Sequence, residues 1–195
     1  MNLLQNIAQY KIILGSQSPR RQELLRGLNL DFEVKVMDVE ESYPSEIIGV
    51  DIPMFLAEKK ARAFNEIMDE NTMVITADTI VWHEGKVLGK PMNEDDAHKM
   101  LRTLSGKTHQ VITGVCISTI NKRKIFHVIT EVSFSKLTDS EIDFYIENYK
   151  PYDKAGSYGV QEWIGFVGVE YISGSYYNVM GLPIQRLYNE LKRWK

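Results

Sequence analysis

An α/β protein built on a mixed sheet is what this sequence predicts, on two observations. Apolar runs of strand character alternate with stretches of helical periodicity through the first half of the chain. Two long apolar runs, Thr108 to Ile120 and Ile125 to Phe134, then meet at the turn Asn121-Lys122-Arg123-Lys124, and this hairpin breaks a purely parallel pattern.

The elements follow in order. Lys11 to Leu14 is an apolar strand, and the polar loop after it leads to Pro19, placed at the first position of a helix that carries Leu24, Leu25 and Leu28. Phe32 to Val36 alternates like a strand and runs into Asp38-Val39-Glu40-Glu41. Asp51 reads as the cap of a helix with Pro53 in its first turn and Phe55, Leu56, Ala57, Ala61, Phe64 and Ile67 at helical spacing. Met73 to Thr76 is a short buried strand ending at Asp78, and Glu84-Gly85 between Ile80-Val81-Trp82 and Lys86-Val87-Leu88 signals a hairpin. Asn93 opens a helix through Leu104, and Thr138-Asp139-Ser140-Glu141 has capping-box spacing for a helix to Tyr149. Pro151 to Pro183, rich in Gly and aromatics, reads as loops with short strands, and Ile184 to Trp194 as a last helix.

Composition bounds the function. With 195 residues, 44% hydrophobic and 25% charged, the chain fits one domain over 1–195, built of two lobes. A net charge of −3 gives no broad nucleic-acid footprint, so no stable nucleic-acid partner is expected. The one cysteine, Cys116, lies in an apolar run and excludes an intrachain disulfide. No leader pattern opens the chain and no apolar window approaches a membrane span, so a cytoplasmic protein without a membrane partner is expected.

Several familiar sites are absent. Ser105-Gly106-Lys107-Thr108 contains Gly-Lys-Thr, but Leu101 stands where a P-loop needs its first glycine, and a helix precedes it. His83, His98, His109 and His127 lack metal-ligand spacing, and neither a Gly-x-Ser-x-Gly elbow nor a Gly-x-Gly-x-x-Gly loop occurs.

The residues with chemical promise are scattered. In Leu14-Gly15-Ser16-Gln17-Ser18-Pro19-Arg20-Arg21, a strand gives way to a helix N-terminus, whose unpaired N–H groups and partial positive charge attract anions. Two hydroxyls and two guanidiniums beside it suit phosphate oxygens, although a solvated basic first turn has the same composition. Asp78, at the carboxyl end of a strand, is placed to hold a divalent metal or take a proton from water, or else caps a turn. Glu40 and Glu41 offer oxygen ligands or are a solvated acidic pair, and Lys60 and Lys90 meet phosphate or are surface lysines. Gln161, after the turn Gly156-Ser157-Tyr158-Gly159, carries a donor and an acceptor that match the N3–H and carbonyl edge of uracil or thymine, or it is a polar loop residue.

Together these segments resemble the Maf (septum formation) family of nucleoside triphosphate pyrophosphatases over nearly the whole chain. The resemblance rests on Ser16-Gln17-Ser18-Pro19-Arg20-Arg21, Glu58-Lys59-Lys60-Ala61-Arg62, Ala77-Asp78-Thr79-Ile80-Val81, Gly89-Lys90-Pro91, Leu104-Ser105-Gly106-Lys107-Thr108-His109, Ala155-Gly156-Ser157-Tyr158-Gly159-Val160-Gln161 and Asn178-Val179-Met180-Gly181-Leu182-Pro183. It implies an elongated mixed sheet flanked by helices, two lobes with a central cleft, similar to the inosine triphosphatase (Ham1-like) fold. It implies hydrolysis of a nucleoside triphosphate to the monophosphate and pyrophosphate, a house-cleaning role, with divalent Mg or Mn and a homodimer. The family's catalytic base falls on Asp78, its phosphate-binding residues on Ser16, Arg21, Lys60 and Lys90, and its metal ligands on Glu41 and Asp78. Arg20, Thr79 and Gln161 fall on its three specificity positions in the combination of the dTTP/UTP branch. Two departures stand out: Gly15 replaces the usual alanine, which removes a methyl beside the phosphate loop, and Glu162 replaces a common glycine and sets an acid near the expected base pocket. The competing reading is a non-catalytic nucleotide- or nucleic-acid-binding regulator of cell division, which needs the basic groups but has no use for Asp78 beside Glu41.

Overall fold

The computed structural model describes residues 4–195. In chain order its elements are β1 (Lys11–Leu14), α1 (Pro19–Arg26), β2 (Phe32–Val34), α2 (Asp51–Arg62), β3 (Thr72–His83), β4 (Lys86–Leu88), α3 (Glu94–Leu104), β5 (Thr108–Ser118), β6 (Arg123–Phe134), α4 (Asp139–Tyr149), α5 (Trp163–Gly168), β7 (Val169–Ser173), α6 (Tyr176–Val179) and α7 (Ile184–Lys192). Among the described residues the strands form one seven-stranded sheet in the order β2-β1-β3-β5-β6-β7, with β4 paired to β3. It is mixed as expected: β1 runs parallel to β2 and β3, whereas β3–β4 and β6–β7 are antiparallel.

Local chemistry accounts for most boundaries. Pro19 occupies the first turn of α1, and the Ser18 hydroxyl accepts the Arg21 N–H. Glu84 and Gly85 both take positive φ (49° and 78°), the pair that a tight β3–β4 hairpin requires. Asn93 caps α3, and Thr138 and Glu141 exchange both bonds of a capping box at α4.

Other expectations shift. α1 stops at Arg26, so Leu28 lies beyond it, and α2 stops at Arg62, which leaves Phe64 and Ile67 outside. Val50 is the N-cap of α2, with Asp51 inside the first turn. Two short helices, α5 and α6, occupy the span read as loops and strands; their aromatic and glycine content hid a helical period too brief to register. β3 does not end near Asp78 but continues to His83, because residues 79–83 are strand formers that β4 pairs. The Gly-Lys-Thr stretch follows α3, and Gly106 (φ 69°) ends that helix, so no phosphate loop forms there.

The chain divides into two compact units, with boundaries inside β3, β5 and β6. One holds the residues up to Asp78 with Thr113–Val128 and Gly181–Lys195; the other holds Thr79–Ile112 with Ile129–Met180. In the former, Ile13, Phe64, Met68 and Val74 form one buried cluster, and Ala57, Ala61 and Cys116 another. Burial pushes the Cys116 thiol up to about 12, so it is an inert core residue. In the latter unit, α3 and α4 close over Leu101, Leu104, Val132, Ile142 and Tyr145. His109, Phe134 and Tyr158 meet edge to face at 4.9 to 5.4 Å between centroids. Burial lowers the His109 pKa to about 3, so its ring is neutral, and its Nε2 lies 2.7 Å from the Tyr158 hydroxyl.

Gly114 on β5 sets how closely α2 lies against the sheet. A Cβ there would strike the Pro53 carbonyl group and the Met54 nitrogen, both backbone. We expect Gly114→Ala to destabilise the protein by about 1–3 kcal/mol, the usual cost of overpacking against rigid atoms. A lower urea midpoint with an unchanged m-value would show it, and an unshifted midpoint would mean that the helix yields freely.

Candidate active site

The unit that holds the residues up to Asp78 contains six of the predicted residues, Ser16, Arg20, Arg21, Glu41, Lys60 and Asp78. β1 stops at Leu14, its register partner being Ile75, and the Gly15 N–H donates to the Ile75 carbonyl at 2.8 Å. β3 continues past that point without β1 beside it, so the backbone of residues 76–78 faces the loop that leads into α1. Asp78 therefore gains the surroundings of a strand end although it sits inside a strand.

Alternation along β3 puts Thr76 and Asp78 on one face, toward α2. The Thr76 hydroxyl donates to the Ala57 carbonyl at 2.6 Å, and one helical turn later Lys60 reaches Asp78, Nζ to Oδ1, at 2.6 Å. Lys60 also meets Glu41, Nζ to Oε1, at 2.7 Å. Its neighbour Lys59 donates to the Ser42 carbonyl at 3.0 Å, so two adjacent lysines of α2 hold the irregular segment carrying Glu41. The Lys60 side chain is 16% exposed and that of Asp78 11%, which makes this a buried pair shielded from salt. Deleting one partner of such a pair typically costs about 3–5 kcal/mol, because a charge is left stranded.

Arg21 is anchored through backbone carbonyls. Its Nε donates to Gly181 O at 2.8 Å and its Nη1 to Ala77 O at 2.9 Å, with Ser16 Oγ 3.4 Å from the same nitrogen. Burial pulls the Arg21 pKa below its usual value while Asp78 opposes the shift, and a guanidinium starts high enough to stay cationic. Arg20 is half-buried and near enough to disfavour the Arg21 charge further. Ser16 is buried and accepts the Ser18 N–H at 3.3 Å, which knits the loop before α1. Thus Ser16, Arg21, Glu41, Lys60 and Asp78 form one linked set, while Glu40 has no part in it. The carbonyls of Ala77 and Gly181 were invisible in the sequence, because a backbone acceptor has no residue signature.

Gly15 is more constrained than a missing methyl implies. A Cβ there would stand 2.7 Å from the Thr76 methyl and 3.1 Å from the Phe64 ring, so glycine lets Thr76 keep its bond to α2.

The other predicted residues belong to the second unit. Thr79 is half-buried on β3, and Lys90 is exposed just after β4. The Gly89 carbonyl accepts the Gly156 N–H at 2.9 Å, which ties the Lys90 segment to the glycine-rich turn. Gly156 has φ 66° and no room for a Cβ beside Val81. Gln161 follows that turn, and its Oε1 is buried with no hydrogen-bond partner in the structure. Glu162, the acid of concern, does not stand free: the Tyr145 hydroxyl donates to its Oε2, and Lys154 Nζ lies 3.1 Å from its Oε1.

No group of three or more His, Cys, Asp or Glu side chains among the described residues is arranged to hold a metal. Two carboxylates, Glu41 and Asp78, do converge on one ammonium. One or two carboxylates plus phosphate oxygens is the donor set that Mg²⁺ uses, so these residues fit a hard divalent cation that arrives with its ligand.

The protein-family model described as Maf-like protein matches residues 11–194. The chain belongs to the Maf-like family. A protein of Phocaeicola vulgatus is 59% identical over 98% of this chain and 100% of its own length. One of Porphyromonas gingivalis is 53% identical over 97% of each. Both of these Maf relatives are named dTTP/UTP pyrophosphatase. Among solved structures, the Staphylococcus aureus Ham1 protein is 16% identical with a TM-score of 0.45, covering 64% of this chain and 71% of its own. Among the described residues, no helix of this Maf-like protein is long and apolar enough to cross a membrane.

Proposed function

We propose that this protein hydrolyses dTTP and UTP, and modified pyrimidine nucleotides, to the monophosphate and pyrophosphate. The observation that carries the reading is the buried Lys60–Asp78 pair, joined by the more exposed Glu41 and set beside the anchored Arg21, in a chain whose full-length relatives bear that name. A water oxygen attacks the α-phosphorus, its proton passes to Asp78, and the bond from that phosphorus to the bridging oxygen breaks with pyrophosphate leaving. Lys60, Arg21 and Lys90 oppose the charge that accumulates on the departing oxygens. Ser16 and the N–H groups opening α1 take further phosphate oxygens. Glu41 and Asp78 would hold a divalent cation, Mg or Mn, whose contribution is to neutralise the triphosphate and polarise its phosphoryl oxygens. The unpartnered Gln161 Oε1 supports its assignment to the base, where it accepts the N3–H of uracil or thymine while the amide nitrogen donates to a carbonyl. Arg20 and Thr79 complete the specificity positions.

Incubation with each nucleotide and magnesium or manganese should release pyrophosphate, most rapidly from dTTP and UTP, whereas release of orthophosphate would contradict cleavage at the α-phosphorus. In the same assay Asp78→Asn should lower kcat by at least about 10²-fold while nucleotide still binds by calorimetry. A variant keeping more than roughly a tenth of the turnover would remove Asp78 from the base role.

Arg21→Ala and Lys90→Ala should each cut kcat/KM severely, since charge-assisted bonds to phosphate are among the strongest available. A surface side chain would instead change the energetics by about 0.5 kcal/mol or less. Arg21→Ala should also lower Tm, because the bonds to Ala77 and Gly181 go with it.

For base choice, Gln161→Glu replaces an amide donor with a carboxylate that repels the pyrimidine carbonyl. Steady-state kcat/KM should drop far more for dTTP and UTP than for CTP and GTP. An even loss over all four would assign Gln161 to the phosphates or the fold.

A further inference from the structure

We propose that Glu162, with Tyr145 and Lys154, is a positioning device that holds the Gln161 amide in its base-reading orientation. The inference rests on Gln161 reading the base.

The Glu162 N–H donates to the Gly159 carbonyl at 3.0 Å, closing a turn with Val160 and Gln161 at its centre. The Tyr145 hydroxyl accepts the Gly159 N–H at 3.0 Å and donates its own proton to Glu162 Oε2. One phenol thus pins both ends of the turn. Burial, reinforced by the Glu162 charge, raises the Tyr145 pKa above its usual value, so the phenol keeps the proton it donates. The other carboxylate oxygen of Glu162 faces Lys154 Nζ at 3.1 Å, and Lys154 also pairs with Asp153 at 2.7 Å. The Lys154 side chain is only 8% exposed and that of Glu162 19%, so the pair is largely withdrawn from water.

Gly159 shows how tightly the two side chains are drawn in. A Cβ on it would lie 2.8 Å from Glu162 Cδ and 2.9 Å from Gln161 Nε2, so the Gln161 amide and the Glu162 carboxylate flank the same bare α-carbon. Directly after Glu162 the chain turns into α5, whose Gly165 N–H donates to the Glu162 carbonyl at 2.8 Å. Gln161 is therefore clamped between a backbone turn and a neutralised acid, with its Oε1 left over. A buried polar network of this kind fixes one geometry, because every alternative strands a charge or a donor. Glu162 does not act on the base through its own charge, since both of its oxygens are engaged.

The test uses the full chain carrying Glu162→Ala and, separately, Tyr145→Phe, which keeps the ring and removes only the oxygen. Two readouts are taken: the Gln161 side-chain amide signals by NMR, identified by their loss in Gln161→Ala, and kcat/KM for dTTP, UTP, CTP and GTP. We expect one sharp amide pair in the wild type, and broadened or shifted signals in both variants. Discrimination for dTTP and UTP over CTP and GTP should fall about ten- to hundredfold, the scale on which misplacing a contact group acts. In a Gln161→Ala background, Glu162→Ala should leave the discrimination ratio unchanged, which a merely structural role would not predict. Unaltered amide signals in a folded Tyr145→Phe protein, or equal losses on all four nucleotides with additive effects, would overturn the proposal. If the amide signals change but Gln161→Ala itself leaves discrimination intact, positioning stands and base reading by Gln161 falls.

Discussion

The ammonium of Lys60 lies between two carboxylates, and much of the arrangement around the candidate site exists to hold it there. Lys60 can reach Asp78 only because α2 lies close on the sheet, and that approach depends on Gly114, where any side chain would meet the helix backbone. Thr76, two residues before Asp78 on the same face, fixes the helix in register by donating to Ala57. The same lysine draws in Glu41 from a segment without regular structure, helped by Lys59 on Ser42. A buried cation with one partner would be poorly compensated. With two it becomes an organising charge that preorganises both acids before any ligand arrives.

Positive charge here is placed locally. The chain carries a net charge of −3, and Arg21 is fixed in direction by two backbone carbonyls while Asp78 and Glu41 lie near enough to favour its charge. A guanidinium tethered in this way keeps a fixed direction, which suits recognition of a polyanion. The second unit handles its buried charges differently. Lys154 is paired with both Asp153 and Glu162, and Tyr145 donates to the other Glu162 oxygen, so the glycine-rich turn is stiffened by contacts that its own charges make with one another.

Parts of this were legible in the residues. Ser18 with Pro19, Asn93, and Thr138 with Glu141 announce helix starts, because capping is a contact between neighbours in sequence. Glu84-Gly85 announces a hairpin because positive φ is a local demand. The site residues were recognisable as types in motifs, but the motifs did not say which carboxylate meets which lysine. Residue chemistry alone leaves Glu40 and Glu41 equivalent, the family resemblance points to Glu41, and Glu41 is the one that meets Lys60. The end of β3 was misplaced for a related reason: Asp78 and Thr79 look like a turn, yet β4 pairs with the strand beyond them.

By itself, then, the sequence determined the caps at Asn93 and Thr138, the hairpin turns, the mixed character of the sheet and the inventory of acids and bases, since each depends on residues within a turn or two of one another. Tertiary structure decided the rest. It drew Lys60 to both Glu41 and Asp78, gave Arg21 its carbonyl anchors, made Gly15 and Gly114 matter through what lies across from them, and turned Glu162 from a stray acid into a clamped one. Each of these is a contact between segments far apart in the chain. Its energy comes from desolvation and close approach, quantities that no local pattern of residues encodes.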